Sequence, residues 1–407
     1  MKKIISLILA FMMSLNICMI ANAESILTGS YTFIDSAYSP KLDMYVVMAK
    51  DFNSGNHETE LYSSKDGVNW TKVLKESNGK NYANQKVRQN LVWWEKEQVF
   101  VAQIAGTIFV SADGNSWTKK SGNVNSVVET NGDVLVIAGG KALRVYENFT
   151  DSPEVVEFTT NSNYYVKTVG LTDDAENITV FDQYTIYYIA GADRAATISY
   201  PNLDGTPVDT VKVPGLDSWI TVLNSAKIRV WTLPKNLSVI TPLLEDGSTN
   251  TEKITGVGAS DKFIVLGTES GKLLYTEAKE LASATVWKEI QLAKGMSEGP
   301  KEQITSVSAG SDGAFVVTSD KGIYSLAESE GNLLLVDPTS ITIEANMPRV
   351  EIPYEGSEIV AITPDVYDYK GTKIFDGITE FEMKTAETGI STIWDGSKLV
   401  VEVDKVH

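Results

Sequence analysis

Tyr62-Ser63-Ser64-Lys65-Asp66-Gly67-Val68-Asn69-Trp70-Thr71-Lys72 and Phe109-Val110-Ser111-Ala112-Asp113-Gly114-Asn115-Ser116-Trp117-Thr118-Lys119 share the pattern S-x-D-G-x-x-W-T-K. They lie 47 residues apart. Asp-Gly is the dipeptide a tight hairpin prefers, because the backbone there needs φ > 0. The Asp carboxylate and the Ser hydroxyl accept N–H groups within such a turn. The Trp three residues after the glycine is then expected to fold back and pack between neighbouring sheets.

Outward from these two turns, the same strand position recurs at Val145, Tyr200, Val230, Tyr275 and Tyr324, at a mean interval of about 44 residues. Leu143-Arg144-Val145-Tyr146 and Ile228-Arg229-Val230-Trp231 echo one another two intervals apart. That period suits a four-stranded propeller blade. Seven anchors predict an all-β, about seven-bladed β-propeller over residues 24–336, with six or eight blades left open by uneven spacing. Runs such as Met44–Met48, Gln98–Val101 and Phe263–Leu266 are short, β-branched or aromatic, and bounded by turn residues. The only helix-like composition, near Ala278 to Ala284, is too short to matter.

The repeats resemble the Asp-box, or BNR, motif of sialidase-like propellers. The usual pattern there is S-x-D-x-G-x-T-W, and here one residue is missing between Asp and Trp. The resemblance implies structural roles at the blade periphery for Ser64, Asp66, Gly67 and Trp70, and for Ser111, Asp113, Gly114 and Trp117. From Val336-Asp337-Pro338 onward, the order of short strands resembles bacterial immunoglobulin-like domains, implying a C-terminal β-sandwich over 337–407. About 70 residues is short for a complete sandwich, so a truncated domain is expected.

Residues 1–23 read as a signal peptide: Lys2 and Lys3, an apolar run to Ile20, then the cleavage pattern Ala21-Asn22-Ala23. A membrane anchor fits less well because the cleavage site follows at once. Ile17 stands where a lipoprotein signal at Cys18 needs a small residue. Cleavage would remove the single cysteine and take the formal charge from −18 to −20. Disulfides, a thiol nucleophile and Cys-based metal sites are thereby excluded from the mature chain. Such acidity disfavours nucleic acid, and no later segment is apolar enough to span a membrane. Hydrophobic residues at 43% and charged residues at 22% exclude wholesale disorder.

Chemistry is harder to find. Sialidases clamp a carboxylate with three arginines, whereas Arg88, Arg144, Arg194 and Arg229 lack the family's R-I-P context. Tyr187, Tyr188 and Glu95 suit a nucleophile and base by type alone. Asp173, Asp174 and Asp182 are candidate glycosidase carboxylates, read more simply as solvated loop charge. His57 and His407 are too isolated for a triad or a multi-His metal site. Asn202-Leu203-Asp204-Gly205 and Ser311-Asp312-Gly313 offer oxygen ligands for a weak calcium site, though Asp-Gly is more often simply a turn. No other cofactor is expected.

Adjacent aromatics point to opposite faces of a strand, so of Trp93-Trp94, Tyr164-Tyr165 and Tyr187-Tyr188 at most one of each pair enters a given core layer. Inter-blade packing accounts for most of them. Trp93 and Trp94 are the candidate ligand-binding residues. The reading is a secreted, monomeric bacterial binding or adhesion protein for an extracellular glycan or protein, without catalysis. The alternative is an extracellular Asp-box-type glycoside hydrolase, and a third class is a structural component of a surface assembly.

Overall fold

The computed structural model describes residues 31–51, 58–67, 69–77, 89–121, 126–139, 142–157, 166–172, 177–182, 185–190, 195–199, 205–216, 218–232, 236–281, 285–293, 296, 298–310, 313–336, 342–346, 359–367, 390–394 and 399–403. Seven sheets follow one another along the chain, at 31–77, 90–121, 126–157, 168–199, 209–240, 254–289 and 304–336. Each runs through four antiparallel strands in sequence order, which makes it a propeller blade. The first strands are Tyr31–Ser39, Asn90–Trp94, Ser126–Thr130, Thr168–Leu171, Asp209–Val213, Ile254–Ala259 and Ile304–Ala309. Each packs on the first strands of its two neighbours, and the seventh packs on the first, so the ring closes. The chain is an all-β, seven-bladed propeller. Helix among the described residues is confined to short 3-10 turns such as Ala278–Glu280.

The hydrophobic core lies between blades rather than at one centre. Val46, Met48 and Leu61 of blade 1 meet Leu91, Phe100 and Ile104 of blade 2. Trp94 and Val101 of blade 2 meet Val128 and Leu135 of blade 3, and this pattern repeats to Phe33 and Val47 against Val316 at the seam between blades 1 and 7. A sheet exposing apolar residues on both faces stays in water only if both are covered, and closing the ring covers them. Outermost strands carry charges, as with Lys72 and Lys75 or Glu154 and Glu157, which discourage strand addition. On blades 6 and 7 a two-residue parallel strand, Leu243–Leu244 or Gln291–Leu292, covers that edge instead.

Side-chain hydrogen bonds stitch neighbouring inner strands together. Asp35 Oδ2 of blade 1 accepts the Leu91 N–H of blade 2 at 2.9 Å. The Asn90 amide donates to the Val128 carbonyl at 2.6 Å and accepts its N–H at 3.1 Å. Thr255 Oγ1 donates to the Ile304 carbonyl at 2.7 Å. Among the described residues no strand is exchanged between blades 1 and 7. Instead Ser36 Oγ lies 2.8 Å from Ser306 Oγ and 2.7 Å from Ser308 Oγ. Gly258 permits the tight approach of blades 6 and 7, since a Cβ there would sit 2.6 Å from the Val307 carbonyl oxygen.

Two readings need correction. The third strand of blade 4 is Ile186–Ala190, so Tyr187 or Tyr188 occupies the repeat position and Tyr200 follows the fourth strand. With Tyr187 as anchor, the uneven intervals become 42 and 43 residues. Asp182 is not a solvated loop acid. It is fully buried, accepting the Thr185 N–H at 2.6 Å and the Tyr187 hydroxyl at 3.0 Å.

The residues from Val336 onward belong to a separate compact unit. Its described part is one antiparallel sheet of Thr342–Asn346, Ile359–Tyr367, Leu399–Val403 and Ile390–Trp394, in that spatial order. Residues 1–23, read from sequence as a signal peptide, lie outside the described residues.

Candidate functional site

Each first strand ends in a hairpin to the second strand of its blade, closed by pairs such as Ser39↔Met44, Trp94↔Val99 and Thr130↔Leu135. Counting one residue back from each closing pair gives Tyr38, Trp93 and Glu129 on blades 1 to 3. On blades 6 and 7 the same count gives Gly258 and Ser308. The inter-blade stitches join residues of similar count, which puts these positions at one level around the axis. They border a cavity of about 270 Å³ lined by first-strand residues from six blades.

The wall is uneven. Blades 1 and 2 contribute aromatic rings, Tyr38 and Trp93, both half-buried. Blades 6 and 7 contribute Gly258, Ala259, Ser308 and Ala309, which leave space opposite. Asp35, Glu129 and Asp209 are the acidic lining residues, and no lining residue among those described is basic. The Lys212 ammonium, at the same level on blade 5, donates to the Leu216 carbonyl in its own hairpin at 2.6 Å.

Both aromatic side chains are fixed. The Trp93 indole meets Phe100 edge-on at 4.9 Å, and its Nε1 donates to Glu95 Oε2 at 2.5 Å. Gln98 in turn donates to Glu95 Oε1 at 2.8 Å, so the hairpin carboxylate is itself held. The hairpin is tied to the next blade through the Lys96 N–H, which donates to the Gly132 carbonyl at 2.8 Å. Tyr38 leans on Tyr45 with ring centroids 4.6 Å apart and donates its hydroxyl to Asp43 at 2.8 Å.

Much of the polar wall is committed to the fold. Asp35 accepts the Ser36 and Leu91 N–H groups. Glu129 accepts the Thr130 N–H at 3.1 Å, and Asp209 accepts the Thr210 N–H at 2.9 Å. The Thr130 hydroxyl donates to the Val134 carbonyl at 2.7 Å, and that of Ser308 to the Ser36 carbonyl at 2.6 Å. The Thr130 and Ser308 hydroxyl protons are thereby given to main-chain carbonyls.

The two ligand-binding candidates part company. Trp93 faces the blade 1–2 side and reaches the cavity, whereas Trp94 is fully buried between blades 2 and 3, against Phe149. Tyr187 packs between blades 3 and 4, and Tyr188 between blades 4 and 5. Arg229 is buried on blade 5, Arg144 is half-buried on blade 3, and neither lines the cavity. Arg88, Arg194, Asp173, Asp174, Tyr164, Tyr165, both histidines and most of the two calcium candidates lie outside the described residues. Tyr38, Asp35, Glu129 and Asp209 escaped sequence reading, because sharing a level requires knowing the register of every hairpin.

The Asp-Gly turns lie at the far side of their blades, between the third and fourth strands. Asp66 accepts the Ser64 hydroxyl and the Asn69 N–H, while the Trp70 indole donates to the Gly67 carbonyl at 3.1 Å. Asp113 accepts the N–H of Ser116 at 2.6 Å and of Asn115 at 2.8 Å. Those N–H groups pull its pKa down to about 2. Gly67 and Gly114 both have φ of 72°, a left-handed conformation that glycine adopts without penalty. Trp70 packs towards Val316 and Ile323 of blade 7, and Trp117 towards blade 1.

Tyrosine and glutamate do meet on blade 1. Tyr31 donates to Glu58 at 2.8 Å and Tyr62 donates to Glu60, which also pairs with Lys72 at 2.8 Å. Burial, then the glutamate bonds, raise both phenols above their ordinary range. Both therefore remain protonated donors, which suits an ionic brace and not a nucleophile.

The propeller is similar to a solved structure titled "Streptogramin B lyase structure", with a TM-score of 0.53 and 13% identity, covering 76% of this chain and 95% of that one. That likeness is one of fold. No family model matches the chain, and no curated protein matches it. Among the described residues no helix is long and apolar enough to cross a membrane.

Proposed function

We propose that this is a secreted bacterial protein that binds an extracellular glycan or protein at the hairpin end of its propeller channel, without turning it over. The observation that carries the reading is the position of Trp93. A large aromatic side chain reaches a cavity, half-buried, while its neighbour Trp94 is spent on the core. Fixed aromatic rings supply contact area at low entropic cost. Of the wall carboxylates, Asp35 supports binding over catalysis, because it is committed to the fold and holds the Leu91 N–H of the next blade.

The leader-like residues 1–23 and the absence of cysteine after them support export. In this reading the Asp-Gly turns are Asp-box devices that pin blade edges, and the C-terminal unit is an immunoglobulin-like spacer. A glycan array probed with the mature chain tests the proposal. Retention of one or more neutral glycans, lost in Trp93→Ala, is expected. An empty array together with an empty screen of extracellular proteins would count against it.

A further inference from the structure

The hairpin that follows Trp93 and Trp94, Glu95-Lys96-Glu97-Gln98, is bonded around one carboxylate. Glu95 stands exposed at the rim, where a glutamate is ordinarily left to water. Both of its oxygens turn to hairpin neighbours instead. Oε2 accepts the Trp93 indole N–H at 2.5 Å, and Oε1 accepts the Gln98 amide at 2.8 Å. Gln98 holds a left-handed backbone, φ 55°, a conformation that favours glycine. A glycine there would bring no amide to the carboxylate. The Lys96 N–H bonds the same hairpin to the Gly132 carbonyl of blade 3.

The presentation of the indole follows. Phe100 meets the ring edge-on at 4.9 Å, and Glu95 takes its only polar atom, so Trp93 turns carbon surface to the cavity. Blade 1 repeats the device. Tyr38 lines the same cavity and gives its hydroxyl proton to Asp43, an acid of its own hairpin, at 2.8 Å. Hydrogen bonds to an ionised acceptor are stronger than neutral ones. A ring held in place before binding also loses less freedom on binding.

We propose, resting on the binding reading above, that Glu95 is a positioning residue that sets the specificity of the mouth. It withdraws the Trp93 donor and presents the indole by its carbon face alone. Ligands with an apolar C–H or aromatic face are favoured at that wall. Ligands that need a donor there are refused, because an acceptor desolvated against the ring without a partner is costly.

The indole N–H itself reports the clamp. In a nitrogen–proton correlation spectrum of the mature chain, the eight tryptophans give eight indole signals, and the one missing from Trp93→Phe belongs to Trp93. Glu95→Ala should move that signal upfield and speed its exchange with water roughly tenfold. The other indole signals and the melting curve should stay as they are. Glu95→Gln, whose amide oxygen still accepts, should restore the shift and the slow exchange. Glu97→Ala, at the other glutamate of the hairpin, should change neither. On the glycan array and the protein screen, retention should fall about five- to tenfold in Glu95→Ala and recover in Glu95→Gln. A Trp93 N–H indifferent to Glu95→Ala overturns the clamp. A signal that moves while Trp93-dependent retention stays at or above wild type overturns the role of Glu95 and leaves the binding reading standing. An empty array and an empty screen fail the binding reading, and the role of Glu95 with it.

Discussion

Asp35 in the first blade accepts the main-chain N–H of Leu91 in the second at 2.9 Å, although 55 residues separate them in the chain. Its other oxygen accepts the N–H of Ser36 at 2.9 Å. The carboxylate is 7% exposed, so both N–H groups depend on it.

Asp35→Ala is therefore expected to leave two inner-ring donors short of an acceptor. Each such group costs about 1–3 kcal/mol. The variant should melt several degrees lower, with Asp35→Asn losing less because its amide oxygen still accepts. Urea denaturation of both variants, compared through their midpoints, checks this. Equal stability of wild type and Asp35→Ala would remove the stitch from the account.

The Asp113 turn makes a pH prediction. Main-chain N–H groups hold the folded carboxyl down to about 2, against an unfolded value of about 3.9. Its contribution is thus present above about pH 4 and is lost as the pH falls through about 2. The residue is largely exposed, so solvent screening cuts the contribution to about 1 kcal/mol. Asp113→Ala should be less stable than wild type at pH 6 and nearly equal to it at pH 2, with ligand recognition unchanged at neutral pH. A gap that persists at pH 2 would mean that the side chain acts through packing instead.

The two adjacent tryptophans should answer to different assays. Trp94 is fully buried, and truncation of such a side chain typically costs about 3–5 kcal/mol. Trp94→Ala should lower the melting temperature strongly or prevent folding. Trp93→Ala should melt close to wild type and lose binding. Scanning calorimetry paired with a binding assay separates them, and an exchange of the two phenotypes would contradict the assigned geometry.

Much of this fold was legible because its punctuation is chemical. Asp-Gly followed by Trp marks the outer hairpin of blades 1 and 2, where Gly67 and Gly114 take a left-handed φ. Blade 4 was misread because its turn lacks that mark, leaving a tyrosine one strand too late. The inner strands carry a second repeat that went unread. Ile254-Thr255-Gly256-Val257-Gly258-Ala259 and Ile304-Thr305-Ser306-Val307-Ser308-Ala309 are identical at four of six positions, 50 residues apart, with serine in place of each glycine. That pattern announces the channel wall of blades 6 and 7. The mouth itself was not legible, because Tyr38, Trp93 and Glu129 share nothing in sequence. They meet only because their hairpins close at the same height.

The chain divides near Val336, where the last strand of blade 7, Asn332–Val336, ends just before Pro338. Limited proteolysis should cut shortly after Val336 and release a propeller that remains folded by circular dichroism. Cooperative loss of both parts, with no stable fragment, would join them into one domain.

Turnover is the most direct test of the central claim that this propeller holds its ligand and leaves it chemically unchanged. Every glycan retained by the mature chain should be incubated with it and the products resolved by mass spectrometry. The account predicts full recovery of intact ligand, with binding abolished by Trp93→Ala. Cleavage that disappears when a single Asp or Glu of the propeller is changed to Ala would contradict it and make the protein a hydrolase or lyase.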